Sequence, residues 1–513
     1  MKLRQKNVNE LKAGSILTYV NLFISCIIPL FYTPIMLDIL GQEEYGLYSL
    51  SNSVISYLSI LTFGMGSAVI RYITKCRVDN DHEMLERTAG MFVFIYAILA
   101  GLVCFTGVVL TNFTGFFFGK GLSGNEIDKM KVLMVIMTLS TAFSFLSSVY
   151  ASIINAYEKY IFRKTIDSLG TIAAPVLNLV VLIYGYASVG MALIGLIIQI
   201  VYLVLFVLYC AKKLNVRPRF RNMPLYLFWE IAGFSAFVFL SSLVDMLYWA
   251  TDKVLIGALL GTAAVAVYNI GGTFTGMLQN MSSAISGVFG TRVTQIVLSE
   301  QPVEELSKLL IRIGRLQYLI VSFFLSGYIV FGRSFIRFWA GDAYAEAYYI
   351  GLMTMLPLAI PLIQNIAFAT IVAQNKHRFR AGIYAAIAVV NVISTYLVLP
   401  YWGIIGAGAC TAIAFLVGNG LIMNIYYYKV TKLDIPLFWK NILKMSIVPV
   451  LSCILSECFI HYILPINTIQ IFIAYVIIFS GVFMFFTWKI TMNEYEKWTF
   501  KDLIMKIRKN SKI

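Results

Sequence analysis

Apolar stretches of membrane-spanning length follow one another along almost the whole chain, and short loops carrying basic residues separate them. A helix needs about 20 mostly apolar residues to cross a hydrocarbon layer. About 14 such stretches can be placed by pattern. Their cores fall near residues 14–37, 46–70, 89–111, 131–153, 166–184, 188–210, 233–257, 264–290, 315–333, 348–372, 381–399, 404–428, 442–464 and 469–488. Composition agrees: 59% of the 513 residues are hydrophobic and 13% are charged, against roughly 25% charged in a soluble protein. With a mean hydropathy of +0.81, the chain reads as an all-α, polytopic membrane protein. Residues 1–13 are polar and basic, and the first apolar stretch is long enough to span, so it reads as a retained helix rather than a cleaved leader.

Lys and Arg set the expected orientation. All but six of the 40 fall in the N-terminal segment, in every second loop and in the C-terminal tail. The exceptions are Lys120, Lys129, Lys131, Lys253, Arg333 and Arg337. This skew predicts an even number of spans, with both termini on the cytoplasmic side of the plasma membrane. The net charge of +15 is then a matter of topology and of attraction to anionic lipid, not of nucleic-acid binding. The seven cysteines show no CxxC, and His82, His377 and His461 lack ligand spacing. No disulfide framework, metal site or cofactor is expected.

The chain also repeats itself. Leu40-Gly41-Gln-Glu-Glu-Tyr45-Gly46-Leu-Tyr48 recurs as Leu260-Gly261-Thr-Ala-Ala-Val265-Ala266-Val-Tyr268, and Ala156-Tyr-Glu-Lys159-Tyr-Ile-Phe162-Arg163 recurs as Ala373-Gln-Asn-Lys376-His-Arg-Phe379-Arg380. The densest basic run, from Lys212 to Arg221, lies between the copies. The expected organisation is a six-helix lobe over 1–220, a second over 221–430, and two further helices with a basic tail over 431–513. Six spans return the chain to the same side, which makes the repeats parallel and places a site at their interface. The segments around Glu83–Arg87 and Glu304–Lys308, and the tail from Trp498 onward, read as amphipathic helices on the membrane surface.

Candidate site residues come from polar positions inside the spans. The second helix of the first lobe carries Ser49, Asn52, Ser53, Ser56 and Ser59; its counterpart carries Asn269, Thr273, Gln279, Asn280 and Ser283. Spacings of three and four keep each set on one helical face. Such a face suits either a hydrated cavity wall that binds sugar hydroxyls or close packing through small residues. Arg71 and Arg292 end these two helices and could pair bidentately with a pyrophosphate, or snorkel to headgroups. Asp245, Asp252 and Lys253 sit on the seventh span, and intramembrane ionisable groups are functional candidates. Lys253 is a further candidate for the anionic substrate. Asp245, the deepest acid, is the candidate coupling carboxylate, while Asp252 and Lys253 suit a structural pair. Enzyme motifs are weak. Asp79-Asn80-Asp81 has the form of a metal–nucleotide motif but stands where an interfacial helix needs an N-cap. Gly115 to Gly121 lacks the spacing of a phosphate loop.

At Leu40-Gly41-x-x-x-Tyr45-Gly46-Leu-Tyr48, at Phe63-Gly64-Met-Gly66-Ser-Ala68-Val-Ile-Arg71-Tyr72 and at Asn155-Ala156-x-x-Lys159 with its echo Gln374-Asn375-Lys376, the sequence resembles bacterial oligosaccharide-lipid flippases. These form the polysaccharide transporter branch of the multidrug/oligosaccharidyl-lipid/polysaccharide exporter superfamily. The resemblance covers nearly the whole chain, although Ala266 stands where the pattern usually has glycine. It implies movement of an undecaprenyl-pyrophosphate-linked repeat unit between leaflets by alternating access, without catalysis and without a cofactor. The implied partners are the lipid-linked oligosaccharide and membrane lipids, with polysaccharide polymerase and chain-length machinery as further candidates. A cation-coupled small-molecule exporter of the same fold is the alternative reading, and a membrane glycosyltransferase is a third.

Overall fold

The computed structural model describes residues 2–510 apart from 63, 225, 228–238, 240, 241, 244, 245, 248, 249, 287, 288, 300, 301, 375, 463 and 464. The described residues fold into helices joined by turns. Eleven helical stretches are long and apolar enough to cross a membrane, and the protein is an all-α polytopic membrane protein. One stretch, Phe379–Lys429, covers two expected spans, with a bend at Gly403 (φ 56°) just past Pro400. The expected span at 264–290 corresponds to the helix Thr262–Ser286; its polar face keeps it out of the eleven. Twelve of the 25 residues of the expected span at 233–257, Asp245 included, lie outside the described residues.

The chain divides into two compact units. Unit one holds 1–269 together with 388–407. It contains α1 (Lys2–Leu40), α2 (Gln42–Ser56), α3 (Gly66–Val78), α4 (His82–Asn112), α5 (Thr114–Phe118), α6 (Gly124–Ala156), α7 (Tyr160–Ile183), α8 (Ala187–Lys212), α9 (Thr251–Leu260) and the start of α10 (Thr262–Ser286). Helix α6 is its pillar, packed against α2, α3, α4 and α8, while α1 runs along α7. Phe92, Tyr96, Met130, Leu133 and Met134 are buried where α4 and α6 meet.

Unit two holds 270–387 and 408–513. It continues α10 and adds α11 (Gly290–Val297), α12 (Pro302–Ala340), α13 (Ala347–Ile363), α14 (Asn365–Ala373), the two ends of α15 (His377–Phe415), α16 (Met423–Lys429), α17 (Ile435–Met445), α18 (Ile447–Tyr462), α19 (Ile469–Phe486) and α20 (Glu494–Asn510). Helix α12 is the pillar here, against α13, α17, α18 and α19. Phe331 meets Phe479 edge to face at 5.3 Å. The bidentate pair of Arg315 and Glu496 (2.6 and 3.0 Å) ties α20 to α12, with Glu496 fully buried.

In both units the outward faces carry large apolar side chains, such as Phe31, Phe105, Leu455 and Ile477. In water such continuous apolar surface is not tolerated; around a transmembrane bundle it is the lipid-facing coat.

Two local features differ from uniform spans. The second span is broken. Helix α2 tightens into a 3-10 turn over Tyr57–Thr62, Gly64 turns the chain at φ 62°, and α3 resumes at Gly66. The cause is local. Ser53, Ser56, Ser59 and Thr62 each donate back to a carbonyl three or four residues earlier, at 2.6–2.9 Å, and such bonds bend helices. The repeat also survives in three dimensions. Phe162 stacks on Tyr209 in unit one (3.8 Å, 9° between planes), and Phe379 stacks on Tyr426 in unit two (4.3 Å, 7°). One and the same chain offset relates the two phenylalanines and the two tyrosines.

Candidate functional site

Both copies of the Leu-Gly motif do the same work. Gly41 joins α1 to α2 at φ 74°, and Gly261 joins α9 to α10 at φ 88°. Only glycine enters this left-handed region without penalty, so each copy reverses the chain within one residue. The two turns lie against each other inside unit one. Gln42 Nε2 donates to the Ala263 carbonyl at 3.4 Å. A Cβ on Gly46 would stand 1.9 Å from the Thr262 carbonyl oxygen, and one on Gly257 would meet Leu50 at 2.6 Å. This is a seam of backbone against backbone.

A polar network runs along the seam. Asn269 Oδ1 accepts from Lys253 Nζ at 2.5 Å. Its Nδ2 donates to Tyr45 Oη at 2.6 Å and to Ser49 Oγ at 3.3 Å. One residue before Lys253 on α9, the buried Asp252 accepts from Tyr268 Oη at 2.6 Å. The hydroxyls of Tyr57 and Thr251 meet at 2.5 Å. At the rim, Glu44 pairs with Lys129 at 2.7 Å and accepts from the Ser188 amide and hydroxyl. Glu126 completes a capping box with Ser123 and accepts from Thr262 Oγ1 at 2.7 Å. A polar vestibule of about 640 Å³ opens beside these residues, with Glu43 and Asn125 in its wall. Polar groups held away from water need partners, and this network gives most of them one.

Further along α2, beyond the seam, unit one contains a cavity of about 710 Å³. Ser59 and Thr62 of the 3-10 turn form one wall, and Ser140, Thr141, Ser144 and Ser148 of α6 form another. Gln199 faces in from α8, with Ser242 and Met246 closing the space. Among the described residues, no charged side chain lines it. Ser144 lies near the middle of the 33-residue α6, and Gln199 near the middle of the 26-residue α8. The cavity therefore sits at mid-depth along these two spans.

The sequence-predicted residues separate into groups. Lys253 and Asn269 are joined directly in the seam. Ser56 donates to the Ser53 carbonyl and lies 3.7 Å from Met246 Sδ at the cavity's edge, and Asn52 is exposed on α2. In unit two, Thr273 is half-buried, while Gln279 and Asn280 are exposed on α10. Arg71 on α3 and Arg292 on α11 are both exposed. Neither pairs with a carboxylate among the described residues, and Arg71 lies over the Tyr72 ring at 5.9 Å. Asp245 lies outside the described residues. Asp252 and Lys253, expected as a structural pair, each bond to a residue of α10.

Sequence reading missed the α6 wall and Gln199. The signs were there: Ser140, Ser144 and Ser148 recur at a spacing of four, and Gln199 is the only amide in an otherwise strongly apolar helix. It also missed that Tyr45 and Ser49 share Asn269, a contact more than two hundred residues apart along the chain.

A broken span, a glycine seam at one end and a hydroxyl-lined cavity at mid-depth define a multi-spanning membrane protein built around an intramembrane polar site. Residues 11–289 match the polysaccharide biosynthesis protein family, and the chain belongs to that family. It is similar to a Shigella flexneri protein named "Putative O-antigen transporter", with 21% identity over 396 residues that make up 75% of this chain and 90% of the relative. Among solved structures, the fold is similar to that of the lipid II flippase MurJ in an inward closed conformation. The TM-score is 0.74 at 16% identity, over 96% of this chain and 99% of that one. It is also similar to an inward-facing multidrug resistance MATE family transporter of the MOP superfamily, with TM-score 0.62 at 16% identity over 83% and 99%.

Proposed function

We propose that this protein is a flippase that carries a polyprenyl-pyrophosphate-linked oligosaccharide repeat unit across the cytoplasmic membrane for surface polysaccharide assembly. Membership of the polysaccharide biosynthesis family and similarity to an O-antigen transporter support the substrate class. The observation that carries the reading is the cavity at mid-depth, whose described lining is rich in hydroxyls and carries no charged side chain. A lipid's sugar headgroup can cross hydrocarbon only if polar surface replaces its water. The protein acts as a transporter and not as an enzyme.

In this reading both termini are cytoplasmic, the lobes span 1–220 and 221–430, and residues 431–513 are an appendix. The Leu-Gly seam then lies at the outer end and closes it by alternating access. Arg71, midway along α3, and Arg292, in the first turn of α11, both exposed and neither paired with a carboxylate among the described residues, receive the pyrophosphate. Asn52, Thr273, Gln279 and Asn280 add polar surface for the sugars. Polymerase and chain-length machinery would take over the flipped unit.

Deletion of the gene in its host, followed by quantification of polyprenyl-linked oligosaccharides, tests the function. Complete repeat units should accumulate on the inner face and surface glycan should be lost. A truncated unit would instead indicate a transferase. Unchanged lipid-linked sugars, with no redundant flippase present, would favour a cation-coupled exporter.

A further inference from the structure

We infer that the mid-depth cavity of unit one is a binding compartment for the neutral, polyhydroxylated part of the headgroup, and that it rejects anionic groups. This inference rests on the flippase reading and adds the chemical class of sugar to it.

The selectivity follows from where the wall's protons point. Ser59, Thr62, Thr141 and Ser148 already donate their hydroxyl protons to helix carbonyls, at 2.6–2.9 Å. Each therefore offers the cavity oxygen lone pairs and no proton. A sugar hydroxyl can donate to such a wall. A carboxylate or phosphate carries acceptors only, and would meet lone pairs with lone pairs. Three hydroxyls, Ser140, Ser144 and Ser242, keep a proton free of hydrogen bonds to described residues. Gln199 has no hydrogen-bond partner among the described residues, and its amide supplies both donors and an acceptor to the same space. With no Lys or Arg among the described lining residues, only these neutral donors offset the desolvation of an anion here, and a charge without a counter-charge in a low-dielectric site is costly. The volume of about 710 Å³ lies within the range of small-molecule sites, about 300–1,000 Å³. The pyrophosphate must be held elsewhere.

The test uses the full chain in phosphatidylethanolamine–phosphatidylglycerol nanodiscs and three probes. These are undecaprenyl pyrophosphate, the same lipid bearing a neutral trihexose, and the same lipid with one hexose replaced by a hexuronic acid. The neutral glycolipid should bind about tenfold more tightly than the bare lipid, as one or two well-made hydrogen bonds allow, and the uronate glycolipid should gain nothing. Gln199→Leu and Ser144→Ala should each remove most of the gain and leave bare-lipid affinity unchanged. Thermal melting checks folding, and Ser144→Ala is small enough to carry the test if Gln199→Leu does not reach the membrane. Equal binding of the uronate and neutral glycolipids overturns the inference, as does a gain that survives both variants. Binding of the bare lipid with no gain from any sugar removes this compartment alone. If neither the bare lipid nor the glycolipids bind, the flippase reading falls with it.

Discussion

The seam and the cavity share unit one and the helix α2, yet they are built from opposite materials. At the seam, glycine lets carbonyls approach to where no side chain fits, and charged and amide groups bond to one another. In the cavity, the hydroxyls of Ser59, Thr62, Thr141 and Ser148 bond within their own helices and leave open volume. A backbone-to-backbone seam has two conditions, closed or parted, because packed interfaces are bistable rather than continuously deformable. A hydroxyl wall accommodates ligands of varied shape. On the proposed function, the contrast suits the seam to switching and the cavity to recognition.

Substitutions can break this contrast, and they rank by size. Gly46→Val should have the largest effect. Its Cβ collides with the Thr262 carbonyl, a backbone atom that cannot rotate away, and overpacking of this kind costs about 3 kcal/mol. Glycan export in a complemented deletion strain should fall below detection while the protein still reaches the membrane; normal export would remove the seam from the mechanism. Asn269→Leu comes next. It leaves Lys253, Tyr45 and Ser49 without their shared partner, at about 2 kcal/mol. A cysteine placed at Ser49 should then react faster with an impermeant thiol reagent added outside, whereas an unchanged rate would mean that the network does not hold the seam closed. Exchanging Arg71 and Arg292 together for Ala should lower export about tenfold, a loss of roughly 1.4 kcal/mol, with membrane levels intact. Full export would remove both from the site. The smallest effect belongs to the paired stacks: Phe162→Leu and Phe379→Leu should each cost about 1 kcal/mol in thermal stability. If one is silent, the two copies are not equivalent in packing.

Much of the frame was legible in the sequence, for a physical reason. Hydrocarbon imposes length and apolarity on every span, so the helices announce themselves. Gly41 and Gly261 were legible as a pair because a left-handed turn leaves few alternatives to glycine. Lys253 and Asn269 could be named individually as candidates; that they bond to each other could not be read, since pairing between α9 and α10 depends on tertiary packing. The break at Tyr57–Thr62 was written in Ser56, Ser59 and Thr62, but serine inside a span is compatible with a straight helix until its hydroxyl is seen to bond backward. The α6 wall was not legible because serines at a spacing of four suit close helix packing as well as a cavity wall, and the charges of α6 lie at its other end, at Glu126 to Lys131.

The most direct measurement is translocation itself. Purified protein would be reconstituted in liposomes with a fluorescent undecaprenyl-pyrophosphate trihexose, and a membrane-impermeant quencher would report transfer between leaflets. The account predicts rapid transfer by the wild-type protein and none above protein-free liposomes by Gly46→Val. Absence of transfer by the wild type, or transfer by Gly46→Val at the wild-type rate, would contradict it.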